Sequence, residues 1–386
     1  VIHEGLELRI LFLPEYFLPH IGGGEIWCWN VARNLAKKHE ITVLTYKHPE
    51  KRVSEIVDNV SIVRMGPFPI PGVQPYFTRA FVQIPFSLIH SMKRDFDVLL
   101  VSQTLPLLLG KVISLFKRRP VISIFHNVYG LEFSLKDKGF VKGMIRGFLE
   151  VLSLKLNYDA VITVSDGIKE KLMSWGIPEN RIHVVYGGVD LTVFDKVEEK
   201  RSEIPIVLYV GRLVRLKRVD LLIRSFSKVV RDFPNAFLWI AGDGPERARL
   251  KRMAEQYNIP VRFLGWIDGE EKIRVMKRAW CLVLPSEKEG FSLVLPESMA
   301  CRTPVVAIDS GGLSTIVKDG VNGFLVPPGS EDLIYERICR ILSDEKLRDR
   351  MGEAGRKIVE EKFTWEKVAE RVEKVLLSAL QTFASG

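Results

Sequence analysis

Short runs dominated by Val, Ile and Leu recur through the first half of the chain, at Leu8–Leu13, Ile41–Thr45, Val60–Met65, Val98–Ser102, Val121–Phe125 and Ala160–Val164. Each is apolar on consecutive positions, the pattern of a strand buried on both faces. Helical patterns lie between them, as in Glu25–Lys38. This alternation predicts an α/β fold with a doubly wound parallel sheet. The second half restarts it, with strands expected at Ile206–Val210, Ala236–Ala241, Val261–Leu264, Cys281–Leu284, Thr303–Ala307 and Phe324–Val326. A charged stretch without apolar periodicity, Asp195–Ile204 (DKVEEKRSEI), separates the halves. We therefore expect an N-terminal Rossmann-like domain over 1–194, a linker at 195–204, a C-terminal Rossmann-like domain over 205–362, and a final amphipathic helix within 363–386.

Two stretches break the pattern. Gly66–Pro85 holds five prolines among aromatics and reads as loop. Lys136–Lys155 places Phe140, Met144, Ile145, Phe148, Leu149 and Leu152 at helical spacing, with Lys138, Lys142 and Arg146 between them. Such a basic amphipathic helix either packs on a core with a solvated basic side or lies peripherally on an anionic membrane.

The chain has 386 residues, 47% apolar and 27% charged, enough for two cored domains. No run of about twenty uncharged apolar residues exists to span a bilayer, and VIHEGLELRILFLP reads as a first strand, not a signal peptide. The net charge of +9 is spread over both halves, with 23 basic and 18 acidic residues in 1–190 and 33 and 29 in 191–386. That is modest for nucleic-acid binding, and no RNA or DNA module is present; it suits an anionic small-molecule substrate. Cys28, Cys281, Cys301 and Cys339 show no C-x-x-C or metal spacing and read as reduced thiols, pointing to a cytoplasmic protein.

The chemistry concentrates in Pro285–Ala300, PSEKEGFSLVLPESMA. The expected strand Cys281–Leu284 ends in a polar loop with Glu289 and Gly290, and a helix-like segment then carries Glu297. Ligands of open α/β sheets bind beyond the strands' carboxyl ends. A helix start offers free N–H groups to phosphate. At 1.5 Å per helical residue the two carboxylates lie roughly 10 Å apart, about the span from the sugar ring of a nucleotide-diphosphate sugar to its ribose. Arg212 and Lys217 follow the first strand of the second half and supply a planar fork and a point charge for phosphate. An exposed basic turn would look the same in isolation. Asp95-x-Asp97 precedes a strand and reads as a helix-to-strand turn, and no cluster suggests a metal.

The Glu289-x7-Glu297 spacing resembles the signature of retaining glycosyltransferases of the GT-B fold, in particular the GT4 family (glycosyl transferases group 1). VGRLVRLKRVDLLIRSF (210–226), YGGVDLTVF (186–194) and DSGGLSTIVKDGVNGFLVPP (309–328) fit the family in the same order. The resemblance implies two Rossmann-like domains facing a central crevice, with the last helix crossing back onto the first domain. It implies a hexosyltransferase that needs no metal or other cofactor. Glu289, His126, Arg212 and Lys217 would be catalytic. The nucleotide-sugar would be held by Gly23, Gly24, Arg212, Lys217, Trp266, Ile267, Glu289, Glu297 and the helix entrance Gly290, Phe291, Ser292, Leu293 and Val294. Glu289 would receive the donor sugar and Glu297 the ribose. The base would meet the Leu264–Ile267 segment mainly through backbone. Gly22–Gly24 reads as the glycine loop of an acceptor domain, with Glu15, Tyr16 and Asp166 on the acceptor side. Ser165 and Asp166 also read as a helix cap. The chain departs from the pattern at Arg302 (usually Gly), Thr315 (usually Glu) and Gly187 (commonly Asn).

The expected reaction moves a hexose from a nucleotide-diphosphate sugar to a hydroxyl of a sugar, polysaccharide or lipid-linked glycan. With no obvious in-line nucleophile, front-face attack is expected, with domain closure excluding water. A glycoside hydrolase would use Glu289 and Glu297 as a carboxylate pair, but such pairs come from separate elements and need neither Arg212 nor Lys217. A catalytically silent nucleotide-sugar-binding scaffold is the other reading, against which the intact Arg212, Lys217, Glu289 and Glu297 set argues.

Overall fold

The computed structural model describes residues 6–14, 17–19, 22–47, 51–66, 84–128, 140–310 and 312–385. The chain divides into two compact units, residues 1–186 with 365–386, and residues 187–364.

The first unit carries β1 (Arg9–Pro14), α1 (Gly23–Leu35), β2 (Glu40–Tyr46), β3 (Ser54–Val57), β4 (Val60–Met65), α2 (Ile84–Met92), β5 (Val98–Ser102), α3 (Thr104–Lys117), β6 (Val121–Phe125), α4 (Phe140–Leu154), β7 (Ala160–Thr163), α5 (Asp166–Ser174) and β8 (Ile182–Val184). Its strands lie in the order β3-β4-β2-β1-β5-β6-β7-β8, parallel except for β3 against β4. Every residue of β5 and β6 is buried, as their unbroken apolar runs require.

The second unit carries α6 (Leu191–Lys196), β9 (Ile206–Val210), a 3₁₀ turn at Arg215–Lys217, α7 (Val219–Asp232), β10 (Phe237–Ala241), α8 (Arg247–Gln256), β11 (Val261–Gly265), α9 (Gly269–Arg278), β12 (Cys281–Leu284), α10 (Val294–Ala300), β13 (Val305–Ile308), β14 (Gly323–Val326), α11 (Glu331–Ser343) and α12 (Glu345–Lys362). Its sheet is all parallel, in the order β11-β10-β9-β12-β13-β14. α13 (Trp365–Ser385) returns to the first unit and packs on α1, where Lys38 and His39 meet Glu373 at 3.2 and 3.3 Å.

Three expectations need correction. The units divide at 186/187, not at 195–204. The charged stretch begins inside α6, whose Phe194 is buried and whose Asp195 takes both Arg356 guanidinium nitrogens at 2.8 Å, anchoring it to α12. Val189 also bridges to Thr364. The strands β3 and β8 were not expected. Finally, Gly23 and Gly24 form the first turn of α1 rather than a loop. The proline-rich 67–83 and residues 136–139 lie outside the described residues.

Candidate active site

In the second sheet the strand order reverses between β9 and β12, so their connections leave in opposite directions and open a crevice at their carboxyl ends. The β9–α7 connection carries Arg212 and Lys217, and the β12–α10 connection carries Glu289. Gly211 N–H donates to the Ala241 carbonyl at 2.9 Å, and Leu213 N–H to Asp243 at 2.9 Å. Gly242, at φ +140°, permits this approach, since a Cβ there would sit 1.9 Å from the Gly211 carbonyl oxygen. Arg212 is exposed, and its carbonyl accepts the buried Tyr209 hydroxyl at 3.0 Å.

Lys217 Nζ lies 2.5 Å from Glu289 Oε1, with the two side chains 20% and 9% exposed. Beside them Arg218 pairs with Glu287, whose N–H donates to the Leu216 carbonyl at 3.3 Å. Ser310 Oγ–H donates to the Ser286 carbonyl at 2.9 Å, adding the end of β13 to the same cluster. The ends of three neighbouring strands are thus tied together around one part-buried carboxylate and its cation.

The helix entrance is shorter than expected. α10 begins only at Val294, so Gly290, Phe291, Ser292 and Leu293 form the loop before it. Ser292 is buried, and its carbonyl accepts Leu295 N–H at 3.2 Å. The Phe291 ring lies 6.0 Å from that of Phe363. Gly187 packs against this loop: a Cβ there would fall 2.6 Å from both Leu293 Cδ2 and Phe291 Cε1. Space therefore excludes the asparagine common in the family. Arg302 sits at φ +57°, the left-handed region where the family's usual glycine is unstrained. Thr315 ends a short 3₁₀ turn after β13.

Glu297 lies inside α10 and accepts Lys272 Nζ at 2.7 Å, with side chains 15% and 23% exposed. Lys272 stands on α9, which follows β11, so Glu297 is joined to the connection carrying Trp266 and Ile267. Trp266 is exposed and Ile267 buried. Sequence spacing carries no signal for Lys272, because the contact joins separate elements 25 residues apart.

In the first unit the order reverses between β1 and β5. Gly24 stands where a Cβ would meet Gln103 Nε2 and His126 Cδ2, each at 3.3 Å, whereas nothing lies within 4 Å of one at Gly23. His126 follows β6, with Nε2 3.7 Å from Cys28 Sγ and its ring 5.3 Å edge-on from Trp27. Burial pushes the imidazole down to about 4, so it is neutral near pH 7. Gln103, at φ +70° before α3, was not anticipated. Asp166 accepts the Tyr186 hydroxyl at 2.9 Å, and Ser165 caps α5 by accepting Ile168 N–H at 3.3 Å. Glu15 and Tyr16 lie outside the described residues. Asp97 accepts Arg9 N–H and its guanidinium at 2.9 Å, which accounts for the Asp95-x-Asp97 turn. Among the described residues no group of three or more His, Cys, Asp or Glu is placed to hold a metal.

Comparison with known proteins agrees with this architecture. The Glycosyltransferase Family 4 model matches residues 21–193 and the Glycosyl transferases group 1 model residues 192–358. A relative in Methanocaldococcus jannaschii, the uncharacterized glycosyltransferase MJ1607, is 29% identical over 97% of this chain and 99% of its own length. Sucrose-phosphate synthase from Thermosynechococcus elongatus superposes with a TM-score of 0.82 at 24% identity, covering 98% of this chain and all (100%) of that one. Anabaena HepE in complex with UDP-glucose gives 0.76 at 20% identity, covering 96% and 100%. The chain belongs to the GT4-type, group 1 glycosyltransferases and has the GT-B fold. It is a glycosyltransferase.

Proposed function

We propose that this enzyme is a retaining, metal-independent hexosyltransferase that takes a nucleotide-diphosphate hexose and glycosylates a hydroxyl of a sugar, polysaccharide or lipid-linked glycan. The observation that carries the reading is the Lys217–Glu289 pair at the reversal point of the second sheet, flanked by exposed Arg212. A diphosphate drawn to Arg212 and Lys217 is neutralised by fixed side-chain cations as the glycosidic bond breaks. Glu289, released from part of its hold on Lys217, accepts donor-sugar hydroxyls, and Glu297 accepts the ribose. The binding of UDP-glucose by HepE, a structural relative, supports this donor class.

In the reaction the bond from the anomeric carbon to the phosphate oxygen breaks, with its electron pair leaving on the diphosphate. The acceptor oxygen joins the same face of that carbon, and its proton passes to the departing phosphate oxygen. His126, held neutral, offers a dipole rather than a charge at the carboxyl edge of the first sheet. The first unit supplies the acceptor-side residues. The four free cysteines support a reducing, cytoplasmic setting. The test is the anomeric configuration of the new linkage, read by NMR in chelator-treated buffer. Retention with undiminished turnover is expected; inversion, or rescue only by a divalent ion, would overturn the reading.

A further inference from the structure

The helices α2, α3 and α4 belong to crossovers that advance the same way across the first sheet, β4 to β5, β5 to β6 and β6 to β7. Right-handed crossovers place all three on one face, and α3 packs against both its neighbours. Each turns an apolar stripe to solvent. On α3, Val112, Leu115 and Phe116 follow one another at helical spacing, the last two 68% and 70% exposed. On α4, Met144, Phe148 and Leu152 repeat every fourth residue, with Phe148 66% exposed. On α2, Phe86 and Ile89, three residues apart and so on one face, are also exposed.

The bases have a geometry too. Each helix leads into the start of a parallel strand, so all three carboxyl ends lie at the sheet's amino edge. Lys93 and Arg94 follow α2, Lys117, Arg118 and Arg119 close α3, and Lys155 follows α4. Residues 84–119 and 140–155 together hold nine Lys and Arg against three Asp and Glu, two thirds of the chain's net charge of +9. Cations at helix carboxyl ends are favourable on their own account, but that leaves three adjoining exposed apolar stripes without a reason. Exposed apolar side chains gathered on one face mark interaction sites.

We propose that the α2–α3–α4 layer is a docking surface for an anionic lipid bilayer, its stripes entering the headgroup boundary and its basic rim facing acidic headgroups. Charge decides the occupant: a second copy would bring two such rims together. No helix among the described residues is long and apolar enough to cross a membrane, so the contact is peripheral. Docking on this face leaves the carboxyl edge of the first sheet, with Gly24 and His126, uncovered. The contact involves none of the donor-binding residues and stands or falls apart from the reaction.

The test is co-sedimentation of the full chain with vesicles of phosphatidylcholine alone or with about 30 mol% phosphatidylglycerol. Partition to the anionic vesicles is expected to be about tenfold or more higher and to fall as salt screens it. A Phe116→Glu/Phe148→Glu variant should lose roughly tenfold of that partition, and Lys93→Glu/Lys117→Glu should lose the preference for acidic lipid. Both sites are exposed, and unchanged nucleotide binding and circular dichroism would show both variants folded. Equal binding to the two vesicle types, or binding undiminished in the apolar variant, would overturn the proposal. So would wild-type dimerisation that the apolar variant abolishes while vesicles capture neither protein.

Discussion

Lys217 and Glu289, 72 residues apart in sequence, meet at 2.5 Å because β9 and β12 are neighbours in the sheet and their connections diverge there. The contact joins the cation proposed to meet phosphate to the carboxylate proposed to meet the donor sugar, so a change in one side chain alters the other. Lys217→Ala is expected to lower kcat/KM by about a hundredfold or more. Glu289→Ala should do likewise, and the double variant should be little worse than either single one, as for residues acting as a unit. Steady-state kinetics of the three variants checks this; simple additivity of the losses would show two independent roles.

Lys272 fixes Glu297 from a separate helix. On the proposed role of Glu297 at the ribose, Lys272→Met should raise the donor KM by about tenfold with little change in kcat, since such a contact binds ground and transition states alike. A donor lacking a ribose hydroxyl should bind less well to the wild type but suffer a smaller additional loss in the variant. Equal losses in both proteins would remove Lys272 from any part in ribose recognition.

The glycines sort by what surrounds them. Gly187→Ala forces a methyl onto Phe291 and Leu293 and should cost about 1–3 kcal/mol of stability together with donor affinity. Gly23→Ala meets no neighbour in the first turn of α1 and should be neutral or stabilise by up to about 1 kcal/mol. Urea unfolding of both variants is the check.

His126 provides a pH signature. Its ordinary value of 6.5 falls to about 4 on folding because burial disfavours the imidazolium. The unfolded chain therefore binds a proton that the folded chain refuses between these values. The stability this neutral ring contributes is present above pH 6.5 and is lost as pH falls toward 4, up to about 3 kcal/mol. Wild type should lose more stability than His126→Gln between pH 7 and pH 4.5, in urea midpoints measured on both. Parallel pH dependence would show the ring to be solvated.

Much of this was legible in the chain because parallel strands buried on both faces leave long apolar marks. β5, β6, β9 and β12 fall within a residue of their expected bounds. β3 and β8 escaped notice because they are short edge strands, and SEIV in β3 is mostly exposed. Asp195–Ile204 looks like a linker by charge alone; only the fold reveals Phe194 in a core and Asp195 on Arg356. Three successive glycines suggest a loop, yet Trp27, Val31 and Leu35 bury against the unit and draw the helix back to Gly23. Glu289 and Glu297 stood out by motif. Their lysine partners needed tertiary structure, although Lys217 was already marked by its place after β9.

The central claim is that side-chain cations of the second unit hold a nucleoside diphosphate without help from an ion. Isothermal titration of the chelator-treated protein with UDP, GDP and ADP tests it most directly. At least one should bind, and Lys217→Ala should weaken that binding by about tenfold or more. Absence of heat and of competition for all three, or an affinity indifferent to Lys217, would contradict it.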